Sequence, residues 1–269
     1  MSALRLGSGR PRKRFGQHFL ERAWVDKLVD ALEPRPEDTF LEIGPGRGAL
    51  TVPLAARVKT LVAVEIDRDL AADLPSLVPG VRIVQADFLD VNLAHLLRDD
   101  PKPVRVVGNL PYNVASPILF KLLHDAGEGR VLSDATLMLQ KEVADRLVAT
   151  PGCGDYGALA IQVSLLADTD RLLSLPPGAF RPPPKVRSAV VRLRFREPAV
   201  DVGDRTTFEK LVRGLFLQRR KTVANALKPV ADSMGRSVAD LIERARVDAS
   251  LRPEALTLDD MARLARAML

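Results

Sequence analysis

A short motif near the middle of the chain combines the groups needed to hold a flat ring that carries an amine. It follows an apolar run from Val104 to Val107 and consists of Asn109, Leu110, Pro111 and Tyr112. The Asn109 side chain and the Leu110 backbone offer carbonyl oxygens that accept hydrogen bonds, and the Tyr112 ring offers a stacking surface. The motif indicates a platform for a planar base with an exocyclic amine. A turn in which Asn109 only caps and Tyr112 only packs is the alternative.

A glycine-rich turn that precedes this motif is typical of nucleotide binding. A buried-strand pattern from Thr39 to Ile43 runs directly into Gly44-Pro45-Gly46-Arg47-Gly48, and a helical pattern covers residues 49–57. Glycine lets the backbone approach a ligand closely, and the first N–H groups of a following helix are free to bind it. The turn therefore predicts that Gly44 and Gly46 contact a ligand.

Two carboxylates follow the next two predicted strands. Glu65 ends the apolar run Leu61 to Val64, about 20 residues after the turn, where a carboxylate at a strand tip can bind ribose hydroxyls. Asp87 follows the run Val81 to Val84, where it can either reach the amine of an adenine ring or cap a helix. Two apolar neighbours could flank such a ring, Ile66 and Phe88.

These strand ends together predict the fold class. Ligands bind at the carboxyl ends of the strands in an open parallel sheet, so the pattern predicts an α/β fold with a mostly parallel sheet and helices on both faces. A fifth strand is predicted from Ala135 to Leu139. The segment 189–196 alternates, which predicts one packed face and one face toward solvent or phosphate. The packed residues are Val191, Leu193 and Phe195, and the others are Arg192, Arg194 and Arg196.

The sequence divides into three parts. Residues 1–14 contain five cations and no acid, which predicts a flexible basic arm. Residues 15–196 carry the α/β pattern, and residues 197–269 carry helical patterning without a strand signal, which predicts a small all-α domain. In that last part an apolar helix runs into three consecutive cations, which bind a polyanion or only face solvent. They are Arg219, Arg220 and Lys221.

Composition limits the class of protein. The chain has 269 residues, 46% of them hydrophobic, with a net charge of +6 and a pI near 9.7, which favours a polyanionic partner. Cys153 is the only cysteine, so no internal disulfide forms. No run reaches the roughly 18 apolar residues of a membrane span, and the basic amino terminus lacks the apolar core of a signal peptide, so we expect a cytoplasmic protein. His18 has no second ligand at metal spacing, so no metal site is expected.

Four motifs, in this order, resemble the ribosomal RNA adenine dimethyltransferases, with a likeness from about Arg14 to the carboxyl end. They are residues 15–20 (FGQHFL), 42–46 (EIGPG), 109–112 (NLPY) and 180–186 (FRPPPKV). The resemblance implies a Rossmann-like class I S-adenosylmethionine-dependent methyltransferase domain and a carboxyl-terminal domain that recognises RNA. Bacterial small-subunit members dimethylate two adjacent adenosines in the hairpin near the 3′ end of 16S rRNA. The implied partner is 16S rRNA in a partly assembled subunit.

The resemblance also assigns roles to individual residues. S-adenosylmethionine is the implied methyl donor, and many relatives have Asn where this chain has His18. The implied donor contacts are Gln17, His18, Leu20, Gly44, Gly46, Glu65, Asp87 and Asn109. The implied acceptor residues are Asn109, Leu110 and Tyr112, with Phe180 as a second stacking face. The implied RNA contacts are Arg219, Arg220 and Lys221.

Two other classes of protein fit parts of the sequence. A dinucleotide-dependent oxidoreductase would use Gly44, Gly46 and Glu65 but leaves the 109–112 motif and Phe180 without a role. A non-catalytic RNA-binding or ribosome-assembly factor would use the basic arm and the cationic clusters but leaves the donor residues unexplained. The last domain looks like that of the small-subunit enzymes, which argues against the related macrolide-resistance methyltransferases that act on large-subunit RNA. We expect a monomer, because the sequence shows no unpaired apolar stripe.

Overall fold

The computed structural model describes residues 19–129 and 131–269, which divide into two compact units. The first contains the described residues up to Ala144 together with Asp168–Phe195, and the second contains Asp145–Ala167 together with Arg196–Leu269. The predicted basic arm, Gln17 and His18 lie outside the described residues. None of the helices in the described part of the chain is both long and apolar enough to cross a lipid bilayer.

The first unit is built on a seven-stranded sheet and a separate pair of short strands. The strands are, in chain order, β1 (Phe19–Leu20), β2 (Thr39–Ile43), β3 (Thr60–Glu65), β4 (Arg82–Gln85), β5 (Val104–Asn109), β6 (Leu132–Gln140), β7 (Ala167–Leu175), β8 (Phe180–Arg181) and β9 (Ser188–Phe195). The helices that begin in the first unit are α1 (Arg22–Leu32), α2 (Thr51–Ala55), α3 (Arg68–Leu77), α4 (Leu93–Leu96), α5 (Ala115–Gly129) and α6 (Lys141–Leu147).

The order of strands in the large sheet is β4-β3-β2-β5-β6-β9-β7. The neighbours from β4 to β6 are parallel, and β9 is antiparallel to β6. The prediction of a mostly parallel α/β sheet is therefore confirmed. From β2 the chain builds outward through β3 and β4, then returns to place β5 on the other side of β2. Ligands bind where the strand order reverses in this way, between β2 and β5.

Helix α1 packs on the sheet because its apolar residues recur at helical spacing. Val25, Leu28, Val29 and Leu32 are buried in a core cluster that also contains Phe40. Such a stripe faces one side of a helix, and burying it against the sheet is what stabilises the helix. Burial of this stripe therefore holds α1 against the sheet.

Two arginines from the sheet bind the carboxyl end of α1. Arg105 donates to the Leu32 carbonyl at 2.8 Å, and Arg192 donates to the Ala31 carbonyl at 2.6 Å. The last carbonyls of a helix have no partner within the helix and carry partial negative charge, so cations stabilise them. Arg105 also pairs with Asp38 and Asp134, each at 2.8 Å.

The prediction that Arg192 faces solvent or phosphate is wrong. Its side chain is only 7% exposed, because α1 covers that face of the sheet. Arg194 lies at the surface and pairs with Asp170 of β7. Arg196 donates to the carbonyls of Ser164 and Leu165. Alternation in β9 thus distinguishes two faces but does not show which of the three arginines are exposed.

The second unit is helical, as predicted for the carboxyl-terminal part of the chain. Its helices are α7 (Ala158–Leu166), α8 (Arg205–Leu217), α9 (Val223–Ser233), α10 (Val238–Ala245) and α11 (Leu258–Met268). The sequence placed residues 145–167 in the first domain, whereas the structure places them in this unit. The reason is that α7 is buried on nearly every side, which suits a helix enclosed by other helices.

The Arg105 network predicts a large loss of stability when its arginine is replaced. Arg105→Gln removes the guanidinium that pairs with two partly buried carboxylates and binds the Leu32 carbonyl, and breaking a buried pair costs about 3–5 kcal/mol. The control is Arg57→Gln, which removes an exposed pair with Asp30 and should cost under about 1 kcal/mol. Urea unfolding followed by the fluorescence of Trp24, the single tryptophan, measures both. Equal losses in the two variants would contradict this account.

Candidate active site

A cavity of about 190 Å³ opens at the carboxyl ends of the first four parallel strands. Its lining includes residues 43–46 at the end of β2, 65–66 at the end of β3, 86–89 after β4 and 109–114 at the end of β5. This is the point where the strand order reverses. The cavity brings together most of the site residues predicted from the sequence, namely Leu20, Gly44, Gly46, Glu65, Asp87, Asn109, Leu110 and Tyr112.

The glycine-rich turn after β2 lines one side of the cavity. Gly44 and Gly46 have φ angles of 67° and 57°, a region that side chains other than glycine rarely adopt. A Cβ atom on Gly44 would meet no atom within 4 Å, so open space lies beside it. Helix α2 begins at Thr51, two residues later than the sequence pattern predicts. The Gly44 N–H donates to the Val64 carbonyl at 2.9 Å.

Glu65, the last residue of β3, binds the glycine-rich turn that follows β2. One of its carboxylate oxygens accepts from the Gly46 N–H and the other from the Asp67 N–H, both at 2.9 Å. Burial raises the pKa of Glu65, and these two backbone donors act against that rise. Each carboxylate oxygen can accept more than one hydrogen bond, so Glu65 can hold the turn and still accept from ribose hydroxyls in the cavity.

Asp87 caps a short helix and also lines the cavity. Its Oδ1 accepts from the Leu89 N–H at 2.9 Å and so caps a short 3₁₀ helix, Phe88–Asp90. The residue also lines the cavity, where Oδ2 is an acceptor suited to the amine of an adenine. Ile66 and Phe88 line the cavity beside it, Ile66 with 46% of its surface exposed. They provide apolar contacts for a flat ring.

Glu42 is a cavity residue that the sequence analysis missed. It lies within β2, is 2% exposed, and its Oε2 makes no hydrogen bond within residues 19–129 and 131–269. Burial raises the pKa of Glu42 to about 8; the nearby Thr51 hydroxyl lowers the pKa and Glu65 raises it further. An acid inside a run of buried strand residues was the available signal, because such a charge needs a partner.

The acceptor platform lies at the end of β5, beside the turn. Gly108 pairs with Ile43 of β2, and a Cβ on Gly108 would lie 2.9 Å from the Ile43 carbonyl oxygen, so glycine allows this close pairing. Asn109 follows directly and pairs with Met138 of β6. Tyr112 is partly buried, and burial raises the pKa of its phenol, so the phenol is neutral at physiological pH.

Phe180 does not line the cavity. Its ring is 2% exposed and packs in the core with Leu175, Ala179 and Val190. The structure therefore does not bring Phe180 to the cavity as the predicted second stacking face, because the core encloses the ring. Phe180 instead pairs with Leu20 in the β1–β8 ribbon, which anchors the segment that reaches the cavity.

The three residues predicted to contact RNA have different surroundings in the second unit. Arg219 donates to Glu254 at 2.8 Å and to the Gly154 carbonyl at 2.5 Å, so its guanidinium is engaged within the unit. Arg220 and Lys221 are exposed. Within the part of the chain that the structure describes, no group of three His, Cys, Asp or Glu residues is arranged to hold a metal ion.

The cavity residues fit S-adenosylmethionine. Glu65 lines the cavity with carboxylate oxygens that can accept from ribose hydroxyls, and within the described residues Glu42 has a buried Oε2 without a protein partner. Open space beside Gly44 leaves room for close approach, and Asp87 with Ile66 suits an adenine. A mostly parallel sheet with this turn and this cavity defines a class I S-adenosylmethionine-dependent methyltransferase.

Comparison with known proteins specifies the family. The family model described as ribosomal RNA adenine dimethylase matches residues 9–267, and the chain belongs to this family. The Ribosomal RNA small subunit methyltransferase A of Xanthomonas oryzae pv. oryzae is 45% identical over 259 residues, which cover 94% of this chain and 95% of that protein. The protein of the same name from Acinetobacter baylyi is 43% identical and covers 96% of this chain and 92% of its own length.

Two solved structures share the fold. A dimethyladenosine transferase from Plasmodium falciparum superimposes with a TM-score of 0.73 at 25% identity, covering 92% of this chain and 96% of that one. The 23S rRNA methyltransferase ErmE gives 0.62 at 27% identity, covering 93% and 99%. The chain is therefore an S-adenosylmethionine-dependent rRNA adenine methyltransferase, and the oxidoreductase alternative is wrong.

The raised pKa of Glu42 predicts how stability depends on pH. Between the ordinary value of 4.5 and about 8, the folded protein keeps the Glu42 proton and the unfolded chain loses it. The folded state then binds more protons, so this residue makes stability fall as pH rises through that window. Glu42→Gln removes the effect, and its Tm relative to the parent should rise by about 3 °C or more from pH 5 to pH 8. Exposed Glu37→Gln is the control, and parallel curves for Glu42→Gln and the parent would contradict the assignment.

Proposed function

We propose that this enzyme methylates N6 of two adjacent adenosines, twice each, in the hairpin near the 3′ end of 16S rRNA during small-subunit biogenesis. The observation that carries the proposal is that the Asn109–Tyr112 platform lines the same cavity as Gly44, Glu65 and Asp87. Relatives at 40–45% identity named Ribosomal RNA small subunit methyltransferase A support the small subunit as the source of the RNA. The fold does not distinguish small-subunit RNA from large-subunit RNA as the substrate, because the 23S rRNA methyltransferase ErmE has the same fold.

The platform acts on the target adenine. The lone pair of N6 is delocalised into the ring, so the amine is a poor nucleophile while it stays planar. The Asn109 side-chain oxygen and the Leu110 carbonyl accept hydrogen bonds from the N6–H groups and draw the amine toward a tetrahedral geometry. Taking the base out of its stack costs a few kcal/mol, and stacking on Tyr112 offsets about 1–3 kcal/mol of that cost.

The donor residues place the second reactant. When bound, S-adenosylmethionine supplies an activated methyl group on a sulfonium. Gly44 and Gly46 border its methionine part, Glu65 binds the ribose and Asp87 the adenine. Fixing two reactants in line can supply about 7–11 kcal/mol of the barrier reduction. N6 becomes acidic once it is methylated, so its proton leaves without a general base. The neutral Asn109 amide also tolerates the monomethyl product for a second transfer.

RNA recognition by the helical unit rests on its exposed cations. In this proposal the exposed Arg220 and Lys221 contact phosphates, whereas Arg219 contributes by holding the Gly154 and Glu254 loops. A partly assembled small subunit is the proposed substrate, because double-stranded RNA is recognised by shape and backbone more than by sequence. We propose that the enzyme works in the cytoplasm as a monomer, without a metal and away from membranes.

Methyl transfer to isolated subunits tests the proposal. With radiolabelled S-adenosylmethionine, label should appear as N6,N6-dimethyladenosine in small subunits that lack these modifications and not in modified subunits. Asn109→Ala and Tyr112→Ala should each lower kcat about 100-fold or more, because each removes a group that acts on the target base. Asn92→Ala, which changes only a helix cap, is the matched control. Full turnover by either platform variant, with folding and donor affinity intact, would overturn the assignment of that residue.

Salt dependence of RNA binding separates the roles of the three cations. Arg220→Ala or Lys221→Ala should each reduce the slope of log Kd against log salt by about 0.7–0.9, the contribution of one phosphate contact. Arg219→Ala should leave the slope unchanged and lower the Tm, because it removes internal hydrogen bonds. Binding is measured with the 3′ hairpin RNA by fluorescence anisotropy from 50 to about 300 mM salt. A reduced slope for Arg219→Ala would show that it contacts phosphate.

A further inference from the structure

The buried hydroxyl of Ser188 contacts the hydroxyl of Tyr112, whose ring is proposed to stack on the target base. The Tyr112 hydroxyl lies 2.8 Å from Ser188 Oγ, 76 residues away in sequence, and either atom can be the donor. Ser188 is 2% exposed, although serine is a residue type found mostly at protein surfaces. A buried hydroxyl is costly without a partner, so this contact contributes to the position of both side chains.

The backbone around Ser188 is fixed. Ser188 is the first residue of β9 and pairs with Gln140 of β6, and the Arg187 carbonyl accepts from the Lys141 N–H at 2.9 Å. Upstream lie three consecutive prolines, 182–184, which restrict the chain, and then Phe180 in the core. The segment is thus held at both ends, and Ser188 offers a stationary point for the Tyr112 hydroxyl.

A stationary hydrogen-bond partner of this kind fixes the orientation of the Tyr112 ring. A tyrosine ring is held to the backbone by two rotatable bonds, and this one is only partly buried because it borders the cavity. A hydrogen bond at the far end of the ring restricts its tilt and therefore the plane presented to a stacking base. Alignment matters because a small misplacement of a reacting group lowers the rate of a positioned reaction.

We propose that Ser188 is a positioning residue for methyl transfer, holding the Tyr112 ring at the tilt on which the target adenine stacks. The inference rests on the proposed function in assigning Tyr112 to the target base. Ser188 itself touches neither reactant and acts through Tyr112. The donor residues Gly44, Glu65 and Asp87 lie on other strand ends, so a change at Ser188 leaves the donor contacts in place.

A double-mutant cycle tests this role. Ser188→Ala and Tyr112→Phe delete the same hydrogen bond from its two sides while the ring remains. Each should lower kcat on unmodified small subunits about five- to tenfold, with the affinity for S-adenosylmethionine changed less than twofold. The double variant should be no slower than the slower single variant, because only one interaction is lost. Tyr112→Phe alone still carries the test if Ser188→Ala does not fold.

Several outcomes would overturn the proposal. Unchanged kcat in Tyr112→Phe, or in a folded Ser188→Ala with only its Tm lowered, would leave the bond a purely structural contact. Losses that multiply in the double variant would mean that the two residues act separately. Tyr112→Ala distinguishes this failure from failure of the proposed function. If that variant is slow while Tyr112→Phe is not, only the role of Ser188 is wrong; if it keeps full turnover, Tyr112 itself is not the platform.

Discussion

The close pairing of β2 with β5 is the constraint on which both sides of the site depend. Gly108 faces the Ile43 carbonyl at a distance that leaves no room for a side chain, and this pairing brings two strand ends to the same level. Gly44 and Asn109 are the next residues on these strands, so the donor turn and the acceptor platform emerge side by side. Two bound reactants can therefore meet without any rearrangement of the sheet.

Buried charged residues have different roles at the amino ends and at the carboxyl ends of the strands. At the amino ends, Arg105 is matched by Asp38, Asp134 and the end of α1, so charge there serves stability. At the carboxyl ends, burial raises the pKa of Glu42 and Glu65, and Glu42 has an oxygen without a protein partner within the described residues. Perturbed acids that face a cavity are a mark of a functional site. The cationic methyl donor S-adenosylmethionine would supply the partner that this oxygen of Glu42 lacks.

The sequence predicted the sheet and most of the cavity because glycines and polar residues at strand ends carry a local signal. It failed where burial depends on distant elements. Alternation in β9 separates two faces but does not reveal that α1 covers Arg192. Phe180 has the chemistry of a stacking residue, yet its pairing with β1 encloses it in the core. Glu42 was overlooked because its role depends on a cavity that no single strand defines. The assignment of 145–167 to the helical unit depends likewise on packing between remote segments.

The two acceptors of Arg219 have an evolutionary consequence. A guanidinium can donate in two fixed directions at once, here to Glu254 and to the Gly154 carbonyl, whereas an ammonium is a compact point charge on a flexible stem. At positions 220 and 221, whose side chains are exposed, arginine and lysine should therefore exchange more freely over generations than at position 219. A run of three cations that looks uniform in the sequence thus contains one residue with two fixed internal acceptors and two residues at the surface.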